Sequence, residues 1–206
     1  MGIKVVKFGG SSLADAEQFR KVAEIVKSDP DRRFVVASAP GKRYRDDVKV
    51  TDMLYHCYDM VRNHEDITAY YAQIAERYND IIRELGLQFD ISGELDYIRN
   101  AITHHSGRDF AASRGEYLNS LILAKYLGFD FIDAESVVFF RENGVYDEEK
   151  TKREMREELK KHEHAVIPGF YGSMPNGTIK TFSRGGSDIT GAIVARAASA
   201  DLYENW

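Results

Sequence analysis

Two glycine-rich runs hold the side chains best suited to chemistry. The first is Lys7-Phe8-Gly9-Gly10-Ser11-Ser12, the second Ser183-Arg184-Gly185-Gly186-Ser187-Asp188. Each stands between a β-type run and a helical pattern. A helix start presents unpaired N–H groups and a partial positive charge, so it attracts phosphate or carboxylate. Glycine lets the backbone approach such an anion closely. Lys7 ends the first apolar run, where its ammonium can reach over the loop to a phosphate; the alternative is a solvated lysine at a strand end. Arg184 can clamp a carboxylate in a bidentate fork. Asp188 can cap the helix it opens, or bind an ammonium group or a metal ion. Either loop alone is explained by a tight strand–helix turn. Two of them, both charged, favour an anionic substrate.

Other chemistries fit poorly. Gly9-Gly10-Ser11-Ser12 is not a G-x-G-x-x-G fingerprint, and Val36 and Arg43 stand where a Walker A loop around Gly41-Lys42 needs glycine and Ser/Thr. The histidines of His104-His105 and His162-Glu163-His164 lack the i,i+4 spacing that puts two ligands on one helical face. No metal site is expected. The single cysteine, Cys57, cannot form an intrachain disulfide.

The elements around these residues alternate. Ile3–Phe8 and Phe34–Ala37 read as buried strands, with a helical pattern from Leu13 to Lys27 between them. The middle is helical: Asp66 to Leu85 in a 3–4 rhythm closed by Gly86, then Glu94 to Thr103, then Ala112 to Leu127 closed by Gly128. Phe129–Ile132, Val137–Phe140, Ala165–Ile167 and Thr178–Phe182 read as strands, Thr151 to Lys161 as an exposed helix, Ile189 to Ser199 as an Ala-rich helix. The polar stretch from Lys42 to Lys49 reads as a mobile lid-type loop, and Thr51 as the N-cap of the helix after it. The pattern predicts one α/β domain, a mostly parallel sheet with helices on both faces.

Composition sets the outer bounds. The 206 residues carry 28 Lys+Arg against 33 Asp+Glu, a net charge of -5, with 43% apolar residues. That is ordinary globular composition, and a mildly acidic chain is a poor generic nucleic-acid binder. No run approaches the ~18 apolar residues of a membrane helix, and the N-terminus is not a secretory signal. A cytoplasmic protein, with neither nucleic acid nor membrane as partner, is expected.

In combination the motifs resemble aspartate kinases of the amino-acid kinase superfamily. Lys7-Phe8-Gly9-Gly10-Ser11-Ser12 is similar to their K-F-G-G-[ST]-S opening, and Val35–Ala39 with Thr51-Asp52 to their second loop. Arg114-Gly115-Glu116 matches their [RH]-G-E element, and Val166–Gly172 followed by Thr181–Asp188 their G-F-x-G and R-G-G-S-D region. The resemblance runs in order along the whole chain. It implies a three-layer α/β/α sandwich and ATP-dependent phosphorylation of the side-chain carboxylate of L-aspartate, the entry to lysine, threonine and methionine.

The resemblance also implies roles. Lys7 neutralises the transferring phosphate, and Phe8, Gly9, Gly10, Ser11 and Ser38 form the ATP side of the cleft. Thr51, Glu116, Arg184, Gly185, Gly186, Ser187 and Asp188 form the aspartate side, with Glu116 on the ammonium, Arg184 on a carboxylate and Asp188 orienting Lys7. Mg²⁺ travels with ATP rather than in a protein cage. The family's kinase domain continues beyond the position of Trp206 with nucleotide-binding residues and then ACT regulatory domains. Residues 1–206 are therefore expected to be the N-terminal, aspartate-binding portion of such a domain, with the fold incomplete at its C-terminus. The portion is expected to be inactive or weak alone, and the full enzyme a homo-oligomer. Two alternatives stay open: a superfamily member acting on glutamate, carbamate or a nucleotide, and a non-catalytic fragment that binds aspartate.

Overall fold

The structure is a computed structural model and describes residues 2–104, 106–183 and 185–206. Its centre is a five-stranded sheet. β1 (Lys4–Phe8), β2 (Arg32–Ala37), β3 (Asp130–Phe131), β4 (Ala165–Pro168) and β7 (Leu202–Asn205) lie in the order β3-β4-β2-β1-β7, and every pairing is parallel. A separate antiparallel pair joins β5 (Tyr171–Ser173) to β6 (Ile179–Thr181).

Side chains alternate across a strand, so each strand feeds two cores. Val6, Phe8, Val35, Ala37 and Val166 point to one face and pack with α1 (Ala16–Lys27), α2 (Val50–Arg62), α3 (Thr68–Glu84), α4 (Ser92–Thr103) and α5 (Arg108–Leu127). Val5, Phe34, Val36, Ala165 and Ile167 point to the other, against α6 (Glu148–Leu159) and α7 (Gly186–Ala198). Lys7 shares the parity of Val5, which turns it toward α7. The expected three-layer α/β/α sandwich is the architecture observed. No helix among the described residues is long and apolar enough to cross a membrane.

Local chemistry explains the helix limits. Asp15 accepts a hydrogen bond from the Gln18 N–H at 3.0 Å and starts α1, whose Phe19, Val22, Ala23 and Val26 are buried at helical spacing. The helical pattern from Leu13 therefore divides: Gly10–Leu13 is a single 3₁₀ turn, and α1 begins after Asp15. Gly86 and Gly128 follow α3 and α5 with φ of 68° and 75°, a conformation glycine adopts without strain. α5 crosses the interior and is buried on almost every side.

Two expectations need correction. Val137–Phe140 is not a strand. It follows a 3₁₀ turn, Ala134–Ser136, and its polar groups are met singly: Val138 N–H by Ala134, Phe139 N–H by the Thr151 hydroxyl, Phe140 N–H by Ser173. Thr51 is not the cap of α2. Lys49 occupies that position and Thr51 sits in the first helical turn. The stretch from Lys42 to Lys49, expected as a mobile lid-type loop, is irregular chain with an internal tie. Asp47 is buried within it and accepts from the Arg43 backbone N–H at 2.9 Å, Nε at 2.7 Å and Nη2 at 3.0 Å.

Candidate functional site

The carboxyl ends of β1 and β2 open into a cleft of about 330 Å³. Ligands of open parallel sheets bind at such ends. Lys7, Gly9, Gly10, Ser38, Thr51, Glu116, Gly185, Gly186, Ser187 and Asp188 line it together with Lys49, Asp52 and Phe170. Residues separated by up to 181 positions thus meet in one concavity.

Lys7 is only 9% exposed. Its Nζ lies 2.7 Å from Asp188 Oδ1 in the first turn of α7. Asp188 is itself held from β7: Asn205 Nδ2 donates to Oδ1 at 3.2 Å and the Tyr203 hydroxyl to the backbone carbonyl at 3.2 Å. A buried ammonium with one half-exposed carboxylate partner is oriented, yet still faces the cleft. Beside it the Gly10–Leu13 turn begins, where the N–H groups of Gly10 and Ser11 have no intrahelical acceptor.

Glu116 stands on the far side, on α5. It is 5% exposed, and its Oε2 has no hydrogen-bond partner. Burial pushes this carboxyl up to about 8, against the pull of the Ala39 and Glu116 backbone N–H groups and the Arg114 charge. Gly115 makes the placement possible. A Cβ there would sit 2.8 Å from the Ala39 Cβ, so only glycine lets α5 press against the loop after β2. The Tyr78 hydroxyl donates to the Gly115 carbonyl at 2.8 Å and Asn119 Nδ2 to the Ser38 carbonyl at 2.7 Å, fixing helix and loop to one another.

The second loop is built by tight packing. A Cβ on Gly186 would lie 2.5 Å from Phe170 Cδ2, and one on Gly169 2.7 Å from the Ser187 side chain. Phe170 holds a φ of 81°, costly for a bulky residue. Its N–H donates to the Thr190 hydroxyl and its carbonyl accepts from the Phe182 N–H.

Two predicted site residues do not line the cleft. Phe8 is fully buried in the core and stacks on Trp206, with ring centroids 6.4 Å apart. Ser11 is exposed. Arg184 lies outside the described residues, as does His105. Sequence reasoning misses Lys49, Asp52 and Phe170 as lining residues. Lys49 was hidden in a charged stretch, and the one signal for Phe170 was its place in the Gly169-Phe170 turn. Among the described residues, no group of three or more His, Cys, Asp or Glu side chains could hold a metal ion. His162 instead lies between Asp130 at 2.7 Å and Glu158 at 3.2 Å, away from the cleft.

Comparison with known proteins agrees with this geometry. Aspartokinase 3 of Bacillus subtilis is 37% identical over 222 aligned residues, covering 99% of this chain and 48% of that protein. The crystal structure of Clostridium acetobutylicum aspartate kinase superposes with a TM-score of 0.98 at 50% identity, over all of this chain and 48% of the other. Escherichia coli aspartokinase III, crystallised with aspartate and ADP, gives 0.83 at 25% identity, over 99% and 48%. The chain spans about half the length of these relatives. The sequence profile described as the amino acid kinase family matches residues 2–206, and with its fold and its cleft accounted for, the chain belongs to that family.

Proposed function

We propose that this chain forms the aspartate-binding and phosphate-facing part of an aspartate kinase, which phosphorylates the L-aspartate side-chain carboxylate at the expense of ATP to give 4-phospho-L-aspartate. In this reading residues 1–206 are the N-terminal portion of the catalytic domain. The reaction is the first step toward lysine, threonine and methionine. The observation that carries it is the pairing, in one cleft, of an oriented buried ammonium and a buried acid with one unpartnered oxygen: Lys7 held by Asp188, and Glu116 with its free Oε2.

The residues suit the chemistry. Phosphoryl transfer depends mainly on positioning and charge stabilisation. The Lys7 ammonium meets the charge that develops on the transferred group, and Asp188 keeps it aimed. Gly9, Gly10 and Ser38 allow a phosphate to approach the backbone. Glu116 receives the substrate ammonium, which supplies the partner its Oε2 lacks. Thr51 adds a hydroxyl, and Lys49 a second cation at the mouth. ATP, when bound, supplies the phosphoryl group, and Mg²⁺ travels with it. The sequence resemblance adds Arg184 as the holder of a carboxylate and homo-oligomeric assembly of the full enzyme, and composition adds a cytoplasmic setting.

Titration calorimetry of the chain with L-aspartate, L-glutamate and ATP, each alone, tests the reading. Aspartate is expected to bind at least ten-fold more tightly than glutamate, and Glu116→Gln to abolish that binding. Equal affinity for glutamate would assign the site to another member of the family.

A further inference from the structure

The cleft is lined at one side by Lys49, Thr51 and Asp52, at the end of the stretch that begins at Gly41. That stretch is short of apolar anchors, and Tyr44 and Val48 are exposed. What holds it is a side chain from α3, a helix whose residues do not line the cleft. Arg77 is 5% exposed. Its Nη2 donates to the Gly41 carbonyl at 2.6 Å, its Nη1 to the Val48 carbonyl at 2.6 Å, and Nη2 lies 3.6 Å from Asp47 Oδ2. One planar guanidinium thus grips both ends of the stretch. Lysine has no such fork.

Both ends lead into the site. Gly41 donates its N–H to the Gly10 carbonyl at 2.8 Å and packs so closely that a Cβ would meet the Gly10 carbonyl carbon at 2.6 Å. Val48 immediately precedes Lys49. On its outer side the stretch borders a separate open cleft of about 630 Å³, with Gln73, Glu76 and Asp80 opposite. Solvent therefore flanks the stretch on that side, and polar bonds rather than core packing set its position.

We infer that Arg77 is a positioning residue of the site: it clamps both ends of residues 41–48 and so places Gly10 on one side and Lys49, Thr51 and Asp52 on the other. The inference rests on the proposed function for what the site binds, but the clamp itself can be tested without it.

Hydrogen exchange and aspartate titration on Arg77→Met and Arg77→Lys give the test, under conditions where near-ultraviolet circular dichroism shows each variant folded. Arg77→Met is expected to speed exchange across residues 41–52 at least ten-fold, leave α5 protected, and weaken aspartate binding at least ten-fold. Arg77→Lys is expected to fall between it and the parent in both, and it carries the test if Arg77→Met does not fold. Unchanged exchange in residues 41–52, or aspartate affinity within two-fold of the parent despite faster exchange, would overturn the inference. If the parent chain binds no aspartate, the functional reading fails, and the exchange result alone upholds or overturns the clamp.

Discussion

Two buried acids stand at the loop after β2, Asp47 within it and Glu116 on α5 beside it, and their surroundings give them opposite charge states. Asp47 has two guanidiniums within reach and a backbone N–H besides, and its carboxyl is held well below the usual carboxylate range, chiefly by the hydrogen bonds from Arg43. Glu116 is as buried but has an unpartnered oxygen, and desolvation raises it to about 8. Burial alone does not decide the charge of an acid; the supply of donors does. Asp47 has its counter-charges in the chain and serves structure. Glu116 lacks a full set, and so is free to take a cation from outside.

Removing Asp47 tests the contrast most severely. Asp47→Ala leaves Arg77 buried without the one carboxylate it pairs with among the described residues, and breaking a buried ion pair from one side costs about 3–5 kcal/mol. Urea unfolding should show that loss at pH 7. The depressed acid stabilises the fold above its unfolded pKa, and this contribution is lost as pH falls below about 4. The parent should therefore lose stability in acid more steeply than the variant. Parallel acid limbs would mean that Asp47 is not held ionised.

Glu116 predicts the opposite sign. Its folded pKa lies above its unfolded value, so between about pH 4.5 and 8 the native state keeps a proton that the unfolded chain has released. Stability then falls as pH rises through that window, by about 1.4 kcal/mol per unit at most, and levels off above it. Glu116→Gln should remove this slope and be more stable than the parent at pH 8. A parent whose stability is flat from pH 5 to 8 would show that the acid is already paired.

Gly115→Ala is a smaller intrusion on the same side. The added methyl meets the Ala39 Cβ at 2.8 Å and the Leu54 Cδ1 at 3.4 Å, and overpacking of this kind costs about 1–3 kcal/mol. It should also weaken aspartate binding, because the carboxyl it carries moves with α5. Unchanged affinity in titration calorimetry would show that the Glu116 position tolerates a shift of the helix.

Much of this arrangement was legible in the sequence, and the exceptions share a cause. β1, β2 and the two loops are local patterns: an apolar run, glycines, then a helix start. Lys7 and Asp188 could be matched because each ends or opens such a pattern. The ties within the stretch from Lys42 to Lys49 are not legible, because its charges look solvated when read in order. Arg43 is four residues from Asp47, but Arg77 is thirty away, and only the packing of α3 brings it there. Val137–Phe140 misled in the other direction. It is apolar and buried at three of its four positions, yet it makes only isolated bridges, Phe139 to Ser173 of β5 and Phe140 to Tyr146, and a side-chain hydroxyl meets the Phe139 N–H. The service of β7 to Asp188 through Tyr203 and Asn205 is not legible in the sequence, because it depends on the register of β7 beside β1.

The central claim is that Glu116 waits uncharged for an ammonium group. Calorimetric titration of L-aspartate at pH 7, repeated in buffers of different ionisation enthalpy, measures the protons exchanged on binding. An acid raised to about 8 is mostly protonated at that pH and must ionise to pair with the substrate. The account predicts release of close to one proton per aspartate bound. Binding without proton release would contradict it.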